Sequence, residues 1–268
     1  MTQIQVSQLT IHPVKSLRGI ALETMQLGAK GPELDRRWLV VDSKGVQRTQ
    51  RQFARMSLVD TALEEGRLTL SAEGAGSCTV NSFEVQASAT QRDVQVWRDT
   101  VSANDCGDDA AQWLSDFLGV DCRLMYMPDE SQRLVDPDYA HHQETVGFAD
   151  AFPILLGNEA SLEDFNHHLN DPVQMNRFRP NIVVSGAEAW AEDSWKTIRI
   201  AGLTLSIASP CSRCIMPSIN PQTGEKQMEV IDALNKHRRV DRATYFGQNV
   251  LYQQLGSISV GDIVEVVE

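Results

Sequence analysis

The chain is 268 residues long, 42% apolar and 22% charged. That average globular composition excludes a disordered tail, a collagen-like fibre and a coiled-coil rod, and suits one or two domains of about 150 residues. With 24 Lys and Arg against 36 Asp and Glu the net charge is −12, which disfavours nonspecific nucleic-acid binding and docking on anionic membranes.

No run approaches about 18 apolar residues, so no bilayer span is expected. The opening MTQIQVSQLTIHPVKS has no charged segment leading into an apolar one, so no secretory signal is expected. The five cysteines are odd in number and stand in a long chain. They predict free thiols in a reducing compartment, and hence a cytoplasmic protein.

The first hundred residues predict β structure. Residues 3–11 alternate apolar with polar, as a half-buried strand does. Trp38-Leu-Val-Val is a strand run that ends in the turn Ser43-Lys-Gly. Arg67-Leu-Thr-Leu and Phe83-Glu-Val-Gln alternate again across Gly74-Ala-Gly-Ser. Short strands and regular turns predict an antiparallel barrel or sandwich. A helix follows, with Asp108 or Asp109 as its cap, Trp113, Leu114, Phe117 and Leu118 at helical spacing, and Gly119 as its stop. The acidic group Asp105, Asp108 and Asp109 suits that helix's N-terminus. The polar stretch 127–145 predicts a long loop or connection. A second helix starts at Asn158, with Leu162, Phe165 and Leu169 on one face. Strands return at Asn181-Ile-Val-Val, Thr197-Ile-Arg-Ile, residues 203–208 and residues 263–267. A division near residue 120 is expected, into 1–120 and 121–268.

Cys211-Ser-Arg-Cys214 follows the strand at 203–208. The spacing is compatible with half a zinc site, though two further ligands are not evident. It is compatible with a redox pair, though Pro217 and Asn220-Pro221 disfavour the helix such a pair needs. It is also compatible with one reactive thiolate beside a cation, Arg213, or with two small buried hydrophobes. Three windows carry cations and no acid within this acidic chain: His12-Pro-Val-Lys15-Ser16-Leu-Arg18-Gly19, Asn176-Arg-Phe-Arg179-Pro-Asn181, and residues 209–220 with Arg213. Arg36-Arg37 adds a fourth cationic spot, tempered by Asp35. Lys, Arg, Ser and Gly on loops at strand ends are suited to an anionic, phosphorylated ligand. His141-His142 and His167-His168 predict solvated side chains, and His237 stands alone. Trp190 and Trp195 around Glu192-Asp193 predict a packed turn.

Ile11-His-Pro-Val-Lys-Ser-Leu-Arg-Gly19 and Leu34-Asp-Arg-Arg-Trp-Leu-Val40 resemble the N-terminal β-barrel domain that accompanies MOSC domains. Asn158-Glu-Ala-Ser-Leu162, Arg177-Phe-Arg-Pro-Asn181, Glu192-Asp-Ser-Trp195, Pro210-Cys-Ser-Arg-Cys-Ile215 and Phe246-Gly-Gln-Asn249 resemble the MOSC domain itself. The resemblance is to bacterial YcbX-type proteins and to mitochondrial amidoxime-reducing components, and it covers essentially the whole chain. It implies a mainly β fold with a few helices, of the α+β class: an N-terminal β-barrel-like domain followed by a MOSC β-barrel domain. It also implies a molybdenum cofactor (Mo-molybdopterin), with Cys214 as metal ligand and catalytic residue and Lys15, Ser16, Arg36, Arg179, Asn181, Ser212 and Arg213 around the pterin and its phosphate. The activity it implies is a detoxifying two-electron reduction of small N-hydroxylated compounds, N–OH to N–H, at molybdenum. YcbX-type relatives often carry a C-terminal plant-type [2Fe–2S] domain. The 268 residues hold no such cysteine run, so either that domain lies outside them or a separate donor protein of the ferredoxin or flavoprotein type is expected. The acidic surface suits a basic partner of that kind. The alternatives are a carrier of the cofactor or of sulfur without substrate turnover, and a two-barrel protein with an inert Cys-x-x-Cys.

Overall fold

Alternation in the first strand decides the layout of the protein. In Gln5–Ile11 the side chains of Val6, Leu9 and Ile11 are buried, and a register shift between Val6 and Gln8 moves the alternation by one residue. That apolar edge does not stay with its own half of the sequence. The strand pairs antiparallel with Ile182–Ser185, Leu9 opposite Ile182, and on its other side with Ile20–Leu22. Val6, Leu9 and Ile11 share one core with Ile154, Leu156, Ile198, Leu205 and Val250. Burying each such side chain contributes about 1.5–3 kcal/mol, so the first strand fastens the two halves together.

The computed structural model describes residues 3–88, 90–140 and 142–268. It is mostly β, with four α-helices among those residues. A nine-stranded sheet runs Val264–Val266, Thr197–Ile200, Leu203–Ser212, Ala243–Tyr252, Ile154–Asn158, Ile182–Ser185, Gln5–Ile11, Ile20–Leu22, with Arg239–Val240 attached to Ala243–Tyr252. Among these strands only Ile154–Asn158 and Ile182–Ser185 pair parallel. A four-stranded sheet joins Trp38–Val41, Arg123–Tyr126, Asp99–Asp105 and Gln91–Val96, and Asp60–Glu64, Arg67–Ala72 and Gly76–Asn81 form a meander. Trp38, Leu68, Leu70, Leu114 and Phe117 fill the core between them. No helix among the described residues is long and apolar enough to cross a membrane.

Several local expectations are corrected. Phe83-Glu-Val-Gln is not a strand but part of the helix Ser82–Ser88. The Asn81 side chain accepts the Phe83 N–H at 3.1 Å and the Ser82 hydroxyl donates to the Gly66 carbonyl. These local caps outweigh an alternation only four residues long. The helix Asp108–Leu118 is capped by Gly107, with Asp108 and Asp109 in its first turn, and Gly119 ends it in the left-handed region at φ 72°. Asp105 lies outside that helix. It accepts the Gly107 N–H at 3.0 Å and pairs with Arg123 at 2.6 Å. Asn158 caps Glu159–Asn166 as expected, but Leu169 lies past its end. Glu192, in the turn Ala191–Ser194, is buried and accepts from Asn158 and Ser161 at 2.8 and 2.9 Å. His142, His167 and His168 are exposed, and His141 lies outside the described residues. His237 is not alone: its ring stacks on His168 at 3.6 Å.

Candidate active site

The strand predicted at 203–208 continues to Ser212. Pro210 is accommodated between two irregularities in its pairing with Ala243–Tyr252. Cys211 and Ser212 therefore belong to the strand, and Cys214 lies two residues beyond its end. The residues after it form only one short turn, Met216–Ser218, as the prolines require.

A cleft of about 460 Å³ opens at this strand end, along the seam between the two halves. All eight residues singled out from the sequence line it: Lys15, Ser16 and Arg36 from the first half, and Arg179, Asn181, Ser212, Arg213 and Cys214 from the second. Ser16, Arg36 and Arg179 have φ of 71°, 47° and 58°. Such left-handed backbone costs a non-glycine residue about 1–3 kcal/mol each. It persists here in the three turns that carry these side chains to the cleft wall.

Among the described residues the lining holds five cations, Lys15, Arg36, Arg51, Arg179 and Arg213, and one carboxylate, Asp150. Lys15 donates to Asp150 and to the Phe148 carbonyl, the latter at 2.8 Å. Burial pushes the Lys15 ammonium below its ordinary value against the pull of Asp150. Desolvation pushes Asp150 the other way, but Lys15, Arg51 and the Trp97 indole outweigh it and hold the carboxyl well below the usual range. Asp150 is thus a fixed negative charge, not a proton donor. Arg36 binds both oxygens of Asp35 at 2.7 Å and donates to the Arg179 carbonyl at 3.2 Å. Arg179 donates to the Leu17 carbonyl at 2.7 Å. Burial first, and Arg36 next, push it down to about 9, so it remains charged at neutral pH.

Arg213 does not turn to Cys214. It donates to the Cys211 sulfur at 3.1 Å and to the Phe178 carbonyl at 2.9 Å. Asn181 lines the cleft with its amide engaged, donating to the Thr10 carbonyl at 3.1 Å and accepting the Leu155 N–H at 3.2 Å. Three cations of the same sequence windows are not brought here. Arg18 pairs with Asp60 at 2.8 Å, Arg37 with Asp129 at 2.7 Å, and buried Arg177 holds Gln227 and the Pro217 carbonyl. Asp150, Arg51, Thr49 and Trp97 were missed. Asp150 and Trp97 stand alone in sequence, and no local pattern marks them as neighbours of Lys15.

His12 lies behind this wall, 3% exposed, its Nδ1 3.9 Å from Asp35 and without a hydrogen bond among the described residues. Burial, then Arg179 and Arg36, push its imidazole well below the ordinary value. Below about pH 6.5 the unfolded chain therefore binds a proton that the folded chain refuses. Stability is expected to fall as the pH drops through that value, by up to about 1.4 kcal/mol per pH unit. His12→Gln should flatten the slope in urea unfolding between about pH 7.5 and 5.5. An unchanged slope would clear His12 of the effect.

Residues 3–121 match the model of the MOSC N-terminal beta barrel domain and residues 143–265 that of the MOSC domain. The mouse mitochondrial amidoxime-reducing component 1 is 35% identical over 277 residues, an alignment covering 97% of this chain and 81% of that protein. The chain belongs to the MOSC-domain family. The bovine mitochondrial amidoxime reducing component 2 and the human mitochondrial amidoxime-reducing component 1 are each 32% identical, over 97% of this chain and 82% of their own. In this MOSC-domain chain the cleft draws its walls from both matched regions.

Proposed function

We propose that this protein is a molybdenum-cofactor-dependent reductase of small N-hydroxylated compounds, converting N–OH to N–H in the cytoplasm. The observation that carries this is the meeting of Cys214 with Lys15, Arg36, Arg179 and Arg213 in one cleft. The relatives named above as amidoxime-reducing components support the reaction class.

The residues fit such a cofactor. The cleft falls within the range of about 300–1,000 Å³ common for ligand sites. Neither Arg179 nor Arg213 has a carboxylate partner among the described residues. The buried Nε atoms of Arg51 and Arg213 have no hydrogen-bond partner among the described residues. Unpaired cations in a low-dielectric wall favour an anion, and a soft thiolate suits a sulfur-rich metal. When bound, the cofactor supplies the two-electron exchange that removes oxygen from the N–OH group, yielding N–H and water.

The chain's own residues do the rest. Cys214 is the protein ligand to molybdenum. Arg179, Arg213, Arg36 and Lys15 hold the pterin and its phosphate, with Ser16 and Ser212 beside them. Asn181 keeps the first strand at a fixed spacing from Ile154–Asn158, so the two walls do not drift apart. Asp150 fixes the Lys15 ammonium, and Phe152 and Phe178 supply apolar lining that excludes water. Electrons come from a ferredoxin- or flavoprotein-type donor, on a separate protein or on a domain outside these 268 residues.

Protein produced in a host that makes the cofactor is expected to contain about one molybdenum per chain and to reduce an amidoxime with an artificial electron donor. Absence of molybdenum by elemental analysis overturns the proposal. Bound molybdenum without turnover selects the carrier alternative.

A further inference from the structure

Trp97 stands at the tip of the hairpin formed by Gln91–Val96 and Asp99–Asp105, where Val96 pairs with Asp99 and leaves a two-residue turn. Its φ is 56°, and the first position of a two-residue turn with positive φ usually takes glycine, which has no Cβ to crowd the backbone. The side chain is also 40% exposed, whereas Trp38 is fully buried. A large ring on left-handed backbone, half out of its own core, is not there for packing. It lines the same cleft as Cys214.

The tip is held firmly. Arg98 donates to Asp136 at 2.8 Å and Arg133 to Asp99 at 2.7 Å. Arg133 also donates to the carbonyls of Gly147, Ala149 and Asp150, so the hairpin and the opposite lip share one clamp. The indole Nε1 donates to Asp150 at 3.3 Å, and the Arg51 guanidinium lies 4.4 Å from the ring centroid. The N–H is thus occupied and two cations, Arg51 and Lys15, lie over the ring, while the residue as a whole stays 40% exposed. Exposure differs along the lining: the Arg36 side chain is 12% exposed and that of Asp150, beside Trp97, 60%. Arg36 and Arg179 suit a phosphate, and Trp97, with Lys15 and Arg51 beside it, adds an aromatic surface to the same cleft.

We propose that Trp97 is the specificity-determining wall of the substrate end of the cleft, its indole stacking on a neutral planar substituent next to the N–OH group and so selecting aryl over alkyl amidoximes. This rests on the reductase activity proposed above. Offset or edge-on contact between aromatic rings is favourable beyond the area it buries. Arg51 and Lys15, the latter 5.7 Å from the ring centroid, make a neutral partner preferable to a cationic one.

Benzamidoxime and acetamidoxime carry the same reacting group and differ in the ring. The ratio of their kcat/KM values is expected to fall about tenfold in Trp97→Ala, chiefly through KM for benzamidoxime, and to be retained in Trp97→Phe. Calorimetric titration of unreduced protein with benzamidoxime should show a matching loss of affinity in Trp97→Ala. An unchanged ratio overturns the proposal. So does an equal loss for both substrates accompanied by a lower pterin content, which would assign Trp97 to the cofactor. If wild-type protein reduces neither compound, the reductase activity fails, while Trp97-dependent binding of benzamidoxime in the calorimeter would still uphold the aromatic wall.

Discussion

Cys214→Ser protein is expected to lose its molybdenum and its reductase activity while keeping its fold. Partners one shell removed from a metal typically lower affinity or activity by about 10–100-fold when mutated, so removing a direct ligand should exceed about a hundredfold. Cys214 is only half-buried, and Ser is nearly its shape, so the unfolding free energy in urea should change little, by about 0.5 kcal/mol or less. The control is Cys211→Ser. Cys211 lines the same cleft, but its sulfur accepts from Arg213, and its replacement should leave most of the metal in place. Elemental analysis of the two variants side by side separates a ligand from a neighbour. Equal metal content in both would overturn the assignment of Cys214.

The largest expected effect on stability belongs to a residue with no place in the chemistry. Asp35 is 3% exposed. It accepts the His12 N–H at 2.7 Å and holds the Arg36 guanidinium with both oxygens. Burial pushes its carboxyl above the ordinary value, and Arg36 pulls it back. Asp35→Ala leaves the largely covered Arg36 guanidinium uncompensated next to Arg179. Breaking one side of such a pair destabilises by about 3–5 kcal/mol. Urea unfolding should show this loss in full. Asp35→Asn should be milder, because its amide oxygen still accepts from His12. A loss below about 1 kcal/mol for the alanine variant would mean that solvent reaches Arg36 and compensates its charge.

Much of the chemistry could be read along the chain because its residues cluster. Lys15 and Ser16 are adjacent, Arg179 and Asn181 share one turn, and Ser212, Arg213 and Cys214 are consecutive. A cation without a nearby acid stands out in a chain of net charge −12. Helix signals were equally local: Asn158 caps with its own side chain at 3.1 Å, and Gly119 accepts a positive φ. What escaped notice had no local mark. Ala243–Tyr252 is buried on both faces over most of its length and interrupted by Gly247 at φ 76°, so it shows no alternation. Glu229–His237 was missed as well, since Met228 at its N-cap makes no side-chain cap and no start signal marks it. Phe83 alternated like a strand and folded as a helix because Asn81 and Gly66 supplied the caps.

The sequence alone determined a mostly β chain, several helix ends and the cationic loops, because backbone propensity, capping and charge act over a few residues; Cys214 was singled out only by the resemblance of its motif to MOSC domains. Only the tertiary structure decided which of those cations face one another. Arg18, Arg37 and Arg177 look like Arg36 and Arg179 in sequence, yet they turn to Asp60, Asp129 and Gln227. The tertiary structure also moved Arg213 from Cys214 to Cys211, brought Asp150 to Lys15, and set Trp97 at the rim. Those pairings follow from burying Val6, Leu9 and Ile11 in the sheet of the opposite half. The hydrophobic gain has no direction along the chain, and so it leaves no local signal of which side chains it will bring together.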